Sequence, residues 1–169
     1  MSILKLARNK KGNPIETLHD RIVYVMRSNA AQMGYIYGAN VSVTNTFNEM
    51  IFLKQCNGQE HGKAYYHCII CPEVTESINV DDFFKACVGI AEEFAHFGGL
   101  FQVLMALHFE DNVQIHAHFI INNIDILSGL RWDINKQALR EIKNIANRNL
   151  LNYGISKIGH KDIRLVKLN

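Results

Sequence analysis

Apolar and polar positions along this chain follow two different periods, and the changes of period mark its elements. Short apolar-rich runs at Ser2–Ala7 and Ala64–Ile70 predict strands. Pro14 stands at the first-turn position that proline tolerates, and the pattern runs a helix from there to about Ser28. Tyr35–Val43 reads as extended, and Thr44–Gln55 as a helix closed by Asn57-Gly58. Asp81–Phe97 has helical spacing, with Asn79 or Asp81 as its cap and Gly98-Gly99 as its stop. Phe101–Phe109 and Val113–Asn123 predict two strands joined by the polar turn Glu110-Asp111-Asn112. Leu130–Trp132 reads as a short strand. A further helix spans Asp133–Tyr153, with Ile134, Ala138, Ile142, Ile145 and Leu150 near helical spacing and Gly154 as its stop. Ile163–Val166 reads as a last short strand. Hairpins mixed with helices predict an α+β fold, a central and largely antiparallel β-sheet with helices packed on it. No repeat, low-complexity segment or linker interrupts the pattern, so residues 1–169 are expected to form one domain.

Composition changes this picture little. A chain of 169 residues, 48% hydrophobic and 20% charged, can bury a core without disulfide or metal staples. No apolar run is long enough to span a membrane, and Met1-Ser2-Ile3-Leu4-Lys5 lacks the apolar core of a secretory signal. The cytoplasm is therefore the expected compartment. A net charge of +2 does not by itself point to nucleic acid, although 18 Lys and Arg can cluster on one face. Of the four cysteines, Cys68 and Cys71 form a C-x-x-C, with no second such pair to complete a zinc site. Their odd spacing on a strand sends the thiols to opposite faces, so they are read as reduced structural residues.

The chemistry lies in His108 to Asn122. On the second strand of the hairpin, Gln114, His116, His118, Ile120 and Asn122 share one face, and Val113, Ile115, Ala117, Phe119 and Ile121 share the other. The apolar face is expected to pack on helices and the histidine face to look elsewhere. His108 lies just before the turn, so across an antiparallel hairpin it neighbours His116 within about 5 to 8 Å. Three imidazoles therefore converge. Neutral imidazole is a common transition-metal ligand, and three of them leave coordination positions open for chemistry. A three-histidine zinc hydrolase has the same ligand set. The other five histidines, His19, His61, His67, His96 and His160, carry no such pattern.

The pattern His-x7-His-x-His followed by apolar residues and Asn122 resembles motif III of mobilisation relaxases of the MobA/VirD type, which belong to the HUH (His-hydrophobic-His) endonucleases. Here the middle residue is Ala117. Ile22-Val23-Tyr24-Val25-Met26 resembles the N-terminal tyrosine motif of that family. Lys54, then Gly62-Lys63-Ala64-Tyr65-Tyr66-His67, resembles the stretch leading to its central strand. The likeness runs from about Ile3 to Tyr153. The chain departs from the family in having Glu110 where His-x-Asp is frequent, Ile70-Cys71-Pro72-Glu73 in place of Ser-Phe, and Ser28-Asn29 in place of Lys-Thr. Many members also carry a long C-terminal extension, so this chain is read as a nuclease domain that can belong to a longer protein.

The resemblance implies a site- and strand-specific DNA relaxase. In such enzymes a tyrosine attacks a backbone phosphate of single-stranded DNA, leaves a 5′-phosphotyrosine and a free 3′-hydroxyl, and can rejoin the strand. The implied cofactor is a divalent metal, manganese or magnesium, on His108, His116 and His118. The implied partners are single-stranded or hairpin origin-of-transfer DNA, with accessory relaxosome proteins and a coupling protein, in conjugative transfer or mobilisation of a plasmid or integrative element. Tyr24 matches the relaxase order, tyrosine before histidines. Tyr153 has the order of HUH replication initiators and some transposases, and a catalytically decayed single-stranded-DNA-binding module is the remaining alternative. Glu110 is either a partner that orients a ligand histidine or an ordinary turn residue. Arg27, Lys63, His67, Asn122, Arg131 and Trp132 are the candidate DNA contacts, with Lys10, Lys11 and Arg21 as further cations. For these basic residues the alternative is a solvated surface. Trp132 can stack a base or pack in the core.

Overall fold

The computed structural model describes residues 2–8, 12–73, 77–109 and 114–167. Strands β1 (Ser2–Arg8), β2 (Ile36–Ala39), β3 (Tyr65–Cys71), β4 (Val103–His108), β5 (His116–Asn122) and β6 (Ile158–Lys167) form one sheet. Helices α1 (Leu18–Met26), α2 (Thr46–Cys56), α3 (Val80–Ala95) and α4 (Lys136–Asn152) cover it. The strand order is β2-β4-β5-β3-β1-β6. Only β1 and β6 run parallel; the other pairs are antiparallel. The sheet is thus mixed α+β with a mostly antiparallel core, as the hairpin pattern predicts.

The β4–β5 hairpin sits inside the sheet, so both of its faces need cover. The first core lies under α3 and α4. Ala117, Phe119 and Ile121 of β5 and Val103, Met105 and Leu107 of β4 pack there with Phe83, Ile90, Phe94, Ile142 and Leu150. The Asn79 side chain accepts from the Asp82 amide and caps α3, and Asn135 caps α4 in the same way through Ala138.

The opposite face is covered as well. The alternation of β5 alone predicts a histidine side that looks away from helices, whereas a nucleophile at Tyr24 requires the first helix to lie over that side. Helix α1 does so through Leu18, Ile22 and Val25, with Met26 beside them. Ile120, Leu104, Ala106 and Tyr65 form a second core with Leu18, Ile22 and Val25 of α1 and Met50 of α2. Period-two alternation in β5 breaks at Ile120, and that apolar position is where the second layer docks. Only the His116 end of the face stays clear of this cover.

Other boundaries differ for local reasons. Pro14 is extended (φ −72°, ψ 171°) and bridges Lys63, so a 3-10 turn at Ile15–Thr17 precedes α1 instead of one continuous helix. Extension after Tyr35 stops at Ala39, because Asn40 adopts a left-handed φ of 55°. Leu130–Trp132 contributes one isolated bridge, Ile124 to Arg131, and no strand. The last strand begins earlier than its apolar run and pairs with β1 from Ile158.

Cys68 and Cys71 are free thiols. Burial pushes Cys68 up to about 12, which disfavours the thiolate that redox or zinc chemistry requires.

Candidate active site

The β4–β5 register sets His108 directly opposite His116. His118, two residues on, is on the same face. The ring centroids of His108 and His118 are 4.1 Å apart, those of His116 and His118 4.9 Å, and those of His108 and His116 5.3 Å. One nitrogen from each ring lies within 4.8 Å of the others. Among the described residues this is the only such group of histidine, cysteine or acidic side chains.

The hydrogen bonds fit these rings to a cation. His108 Nε2 donates to the Val25 carbonyl at 2.8 Å, which leaves Nδ1 as its lone-pair nitrogen. His116 Nδ1 donates to the Gln114 carbonyl at 2.9 Å, which leaves Nε2. His118 Nε2 is buried and has no hydrogen-bond partner among the described residues. Buried nitrogens without partners are costly, and a cation satisfies them. Ligands must also be neutral. Burial pushes His108 down to about 4, and it lowers His116 and, further, His118.

These shifts make a prediction for the metal-free protein. Unfolded histidines titrate near pH 6.5. Between there and about pH 4 the unfolded chain binds protons that folded His108 refuses, so stability falls as pH drops through this window. His67, pushed down to about 3 mainly by burial, adds to the effect. In chelator-treated protein the melting temperature is expected to fall by roughly 5 °C or more from pH 7 to pH 5. A flat profile by scanning calorimetry would contradict neutral buried imidazoles.

Helix α1 brings Tyr24 to this cluster. Leu18, Ile22 and Val25 bury one side of the helix, which turns Tyr24 to its margin. The carbonyls of the last turn lack helical partners. His108 satisfies that of Val25, and Arg27 donates to that of Tyr24 at 2.9 Å. The helix end is therefore tied to a cluster histidine. The Tyr24 ring, 38% exposed, has its centroid 5.7 Å from those of both His108 and His118. The Arg27 guanidinium carbon stands 3.9 Å from the centre of the Tyr24 ring, and that of Arg21 5.3 Å. Tyr153 caps α4, the helix packed on the opposite face of the sheet.

The remaining candidates divide. Lys63 is half-buried, with its ammonium 4.8 Å from the Tyr66 ring. Arg131 donates to the carbonyls of Gln59 and His61 and so holds the loop after α2. Trp132 packs among Tyr66, Phe97 and Phe101. Asn122 is buried and donates to Gln102 Oε1 and the Met50 carbonyl. His67 is 1% exposed and bonded to His118. Glu110, Lys10 and Lys11 lie outside the described residues.

Nothing in the sequence pattern assigns Lys54 a role beyond its place in a motif. It is fully buried, donates to Asn123 Oδ1 at 2.9 Å, and is pushed down to about 7 by burial, with Arg131 adding to the effect. The signal was its place at i+4 from Met50 and i+8 from Thr46, the buried stripe of α2.

Comparisons with known proteins agree with this architecture. A search of curated proteins finds no match in sequence. The MobM relaxase domain, solved with manganese and bound to origin-of-transfer DNA of plasmid pMV158, is similar in structure. It has 11% identity and a TM-score of 0.60, over 95% of this chain and 91% of that one. A structure solved to explain vancomycin resistance transfer in Staphylococcus aureus has 15% identity and a TM-score of 0.49, over 73% and 74% of the two chains. The family described as relaxase, MobA/VirD2-like, nuclease domain matches residues 24–155, which takes in both Tyr24 and the three histidines. That match covers well over half of the sequence, and the chain belongs to the MobA/VirD2-like relaxases, in their nuclease domain.

Proposed function

We propose that this protein nicks and rejoins one strand of origin-of-transfer DNA through a phosphotyrosine on Tyr24, and so starts the mobilisation of a plasmid or integrative element. The observation that carries the reading is the 5.7 Å approach of the Tyr24 ring to two of three clustered histidines. His108, His116 and His118 hold a divalent ion, manganese or magnesium. Bound there, the ion polarises a phosphoryl oxygen and offsets the charge that develops on it.

The residues of the chain do the rest. The Tyr24 oxygen bonds to phosphorus as the bond from phosphorus to the 3′ oxygen breaks. The phenol gives up one proton and the departing 3′ oxygen takes up one, so protons balance. The 5′ side remains on Tyr24, its bond energy is kept, and the reverse attack by the 3′-hydroxyl rejoins the strand. Arg27 and Arg21 flank the ring and supply positive charge for the backbone phosphates. The reaction belongs in the cytoplasm, with accessory proteins and a coupling protein as partners. No helix among the described residues is long and apolar enough to cross a membrane.

The test is a denaturing gel of the full chain with manganese and single-stranded oligonucleotides tiled across the element that encodes it. A covalent adduct with one or a few of them is expected. Tight DNA binding with no adduct anywhere would reduce the protein to a binding module.

Strand preference follows from the same chemistry, because an unpaired phosphate must reach Tyr24. Single strands and hairpins are expected to bind at least about tenfold more tightly than plain duplex. With Arg21, Arg27 and Lys63 on phosphates, the logarithm of affinity falls against that of salt with a slope of about −2. Fluorescence anisotropy across a salt series checks both; equal affinity for duplex counts against the reading.

A further inference from the structure

We infer that His67 is a positioning residue for the cation site: its Nε2 accepts the Nδ1–H of His118 and holds that ring with its Nε2 lone pair facing His108 and His116. The inference rests on the reading of His108, His116 and His118 as cation ligands.

The three rings are backed differently. His108 and His116 each donate to a backbone carbonyl. A carbonyl only accepts, so the tautomer of those two rings is decided by the backbone. His118 is backed by a side chain, His67, at 2.7 Å between Nδ1 and Nε2. One proton lies between these atoms. If His67 supplied it, the proton of His118 would sit on Nε2, facing the cluster, and no lone pair would remain there. If His118 supplies it, Nε2 is a ligand. Cation binding therefore selects the second arrangement, and the hydrogen bond fixes the ring's direction as outer groups of metal sites do.

The burial of His67 suits this role. It is 1% exposed, on β3, diagonal to His118 across the β3–β5 pair, and its centroid is 5.0 Å from that of His118. Its proton then resides on Nδ1, a buried atom with no hydrogen-bond partner among the described residues. The opposite arrangement leaves the same kind of orphaned N–H on His118 Nε2, so a cation that takes the Nε2 lone pair decides between the two.

The test is manganese titration by calorimetry of wild type, H118A, H67L and H67Q, each in the full chain. Glutamine can present an oxygen near the position of His67 Nε2, whereas leucine fills the space without an acceptor. H67L is expected to bind manganese about 10- to 100-fold more weakly, and H67Q within about threefold of wild type. A packing role predicts the reverse order. Wild-type affinity in H67L, or H67Q as weak as H67L, overturns the inference while wild-type binding and its loss in H118A uphold the ligand reading. No binding by wild type, or full binding by H118A, defeats the ligand reading itself. Nitrogen-15 NMR of magnesium-loaded wild type gives an answer that needs no variant. Protons on Nδ1 of both His67 and His118 are expected; a His67 proton on Nε2 overturns the inference.

Discussion

Replacing Tyr24 by phenylalanine is expected to abolish the covalent protein–DNA adduct, a fall of at least roughly 10³-fold in its rate of formation. Manganese and DNA affinity should stay within about threefold of wild type, less than 1 kcal/mol. The substitution removes one oxygen. The ring is 38% exposed and keeps its stacking on Arg27, so neither a cavity nor a lost anchor follows. Helix α1 stays docked, because it is held by Leu18, Ile22, Val25 and the bond from His108 to the Val25 carbonyl, none of which involves the phenol. Adduct formation by the phenylalanine variant at the wild-type rate, on the same oligonucleotide, would remove Tyr24 from the mechanism. A parallel loss of DNA binding would mean that the hydroxyl serves recognition.

The second large effect is on the cation. Converting His116 and His118 together to alanine is expected to eliminate measurable manganese binding by calorimetry. Two of three nitrogens vanish, so the loss exceeds the 10- to 100-fold typical of losing only a supporting hydrogen bond. The fold should survive: His116 is half-buried at the open end of the sheet, and removing His118 also removes a buried nitrogen that lacks a partner. Adduct formation should fall with the metal. Unchanged affinity would place the ion elsewhere.

Much of this site could be read from local pattern. The period-two run His116-Ala117-His118 needs only strand geometry to set two imidazoles on one face, and a hairpin adds His108. Helices α3 and α4 show apolar stripes over several turns, and the Asn79 cap precedes its helix by one residue. What escaped depends on contacts between elements distant in sequence. His67 and His118 are 51 residues apart and meet only because β5 chooses β3 as its second neighbour. The cover of the histidine face by α1 follows from bringing Tyr24 to the cluster, with Leu18, Ile22, Val25 and Met26 as the docking side, but the share taken by α2 has one local sign, Ile120 in a polar register. Trp132 follows an arginine in sequence, but its ring packs against Tyr66 of β3 and against Phe97 and Phe101 of the α3–β4 connection, two segments distant in sequence. The burial of Lys54 likewise needs Asn123, across 69 residues.

The central claim is that Tyr24 carries the DNA, and peptide mapping of the adduct tests it most directly. Trypsin cuts after Arg21 and Arg27, so Tyr24 falls in the peptide Ile22–Arg27, whereas Tyr153 falls in Asn149–Lys157. After nuclease trimming of the adduct, mass spectrometry should find the nucleotide mass on Ile22–Arg27, with fragmentation locating it on residue 24. The same mass on Asn149–Lys157 would contradict the account and give the chemistry to Tyr153.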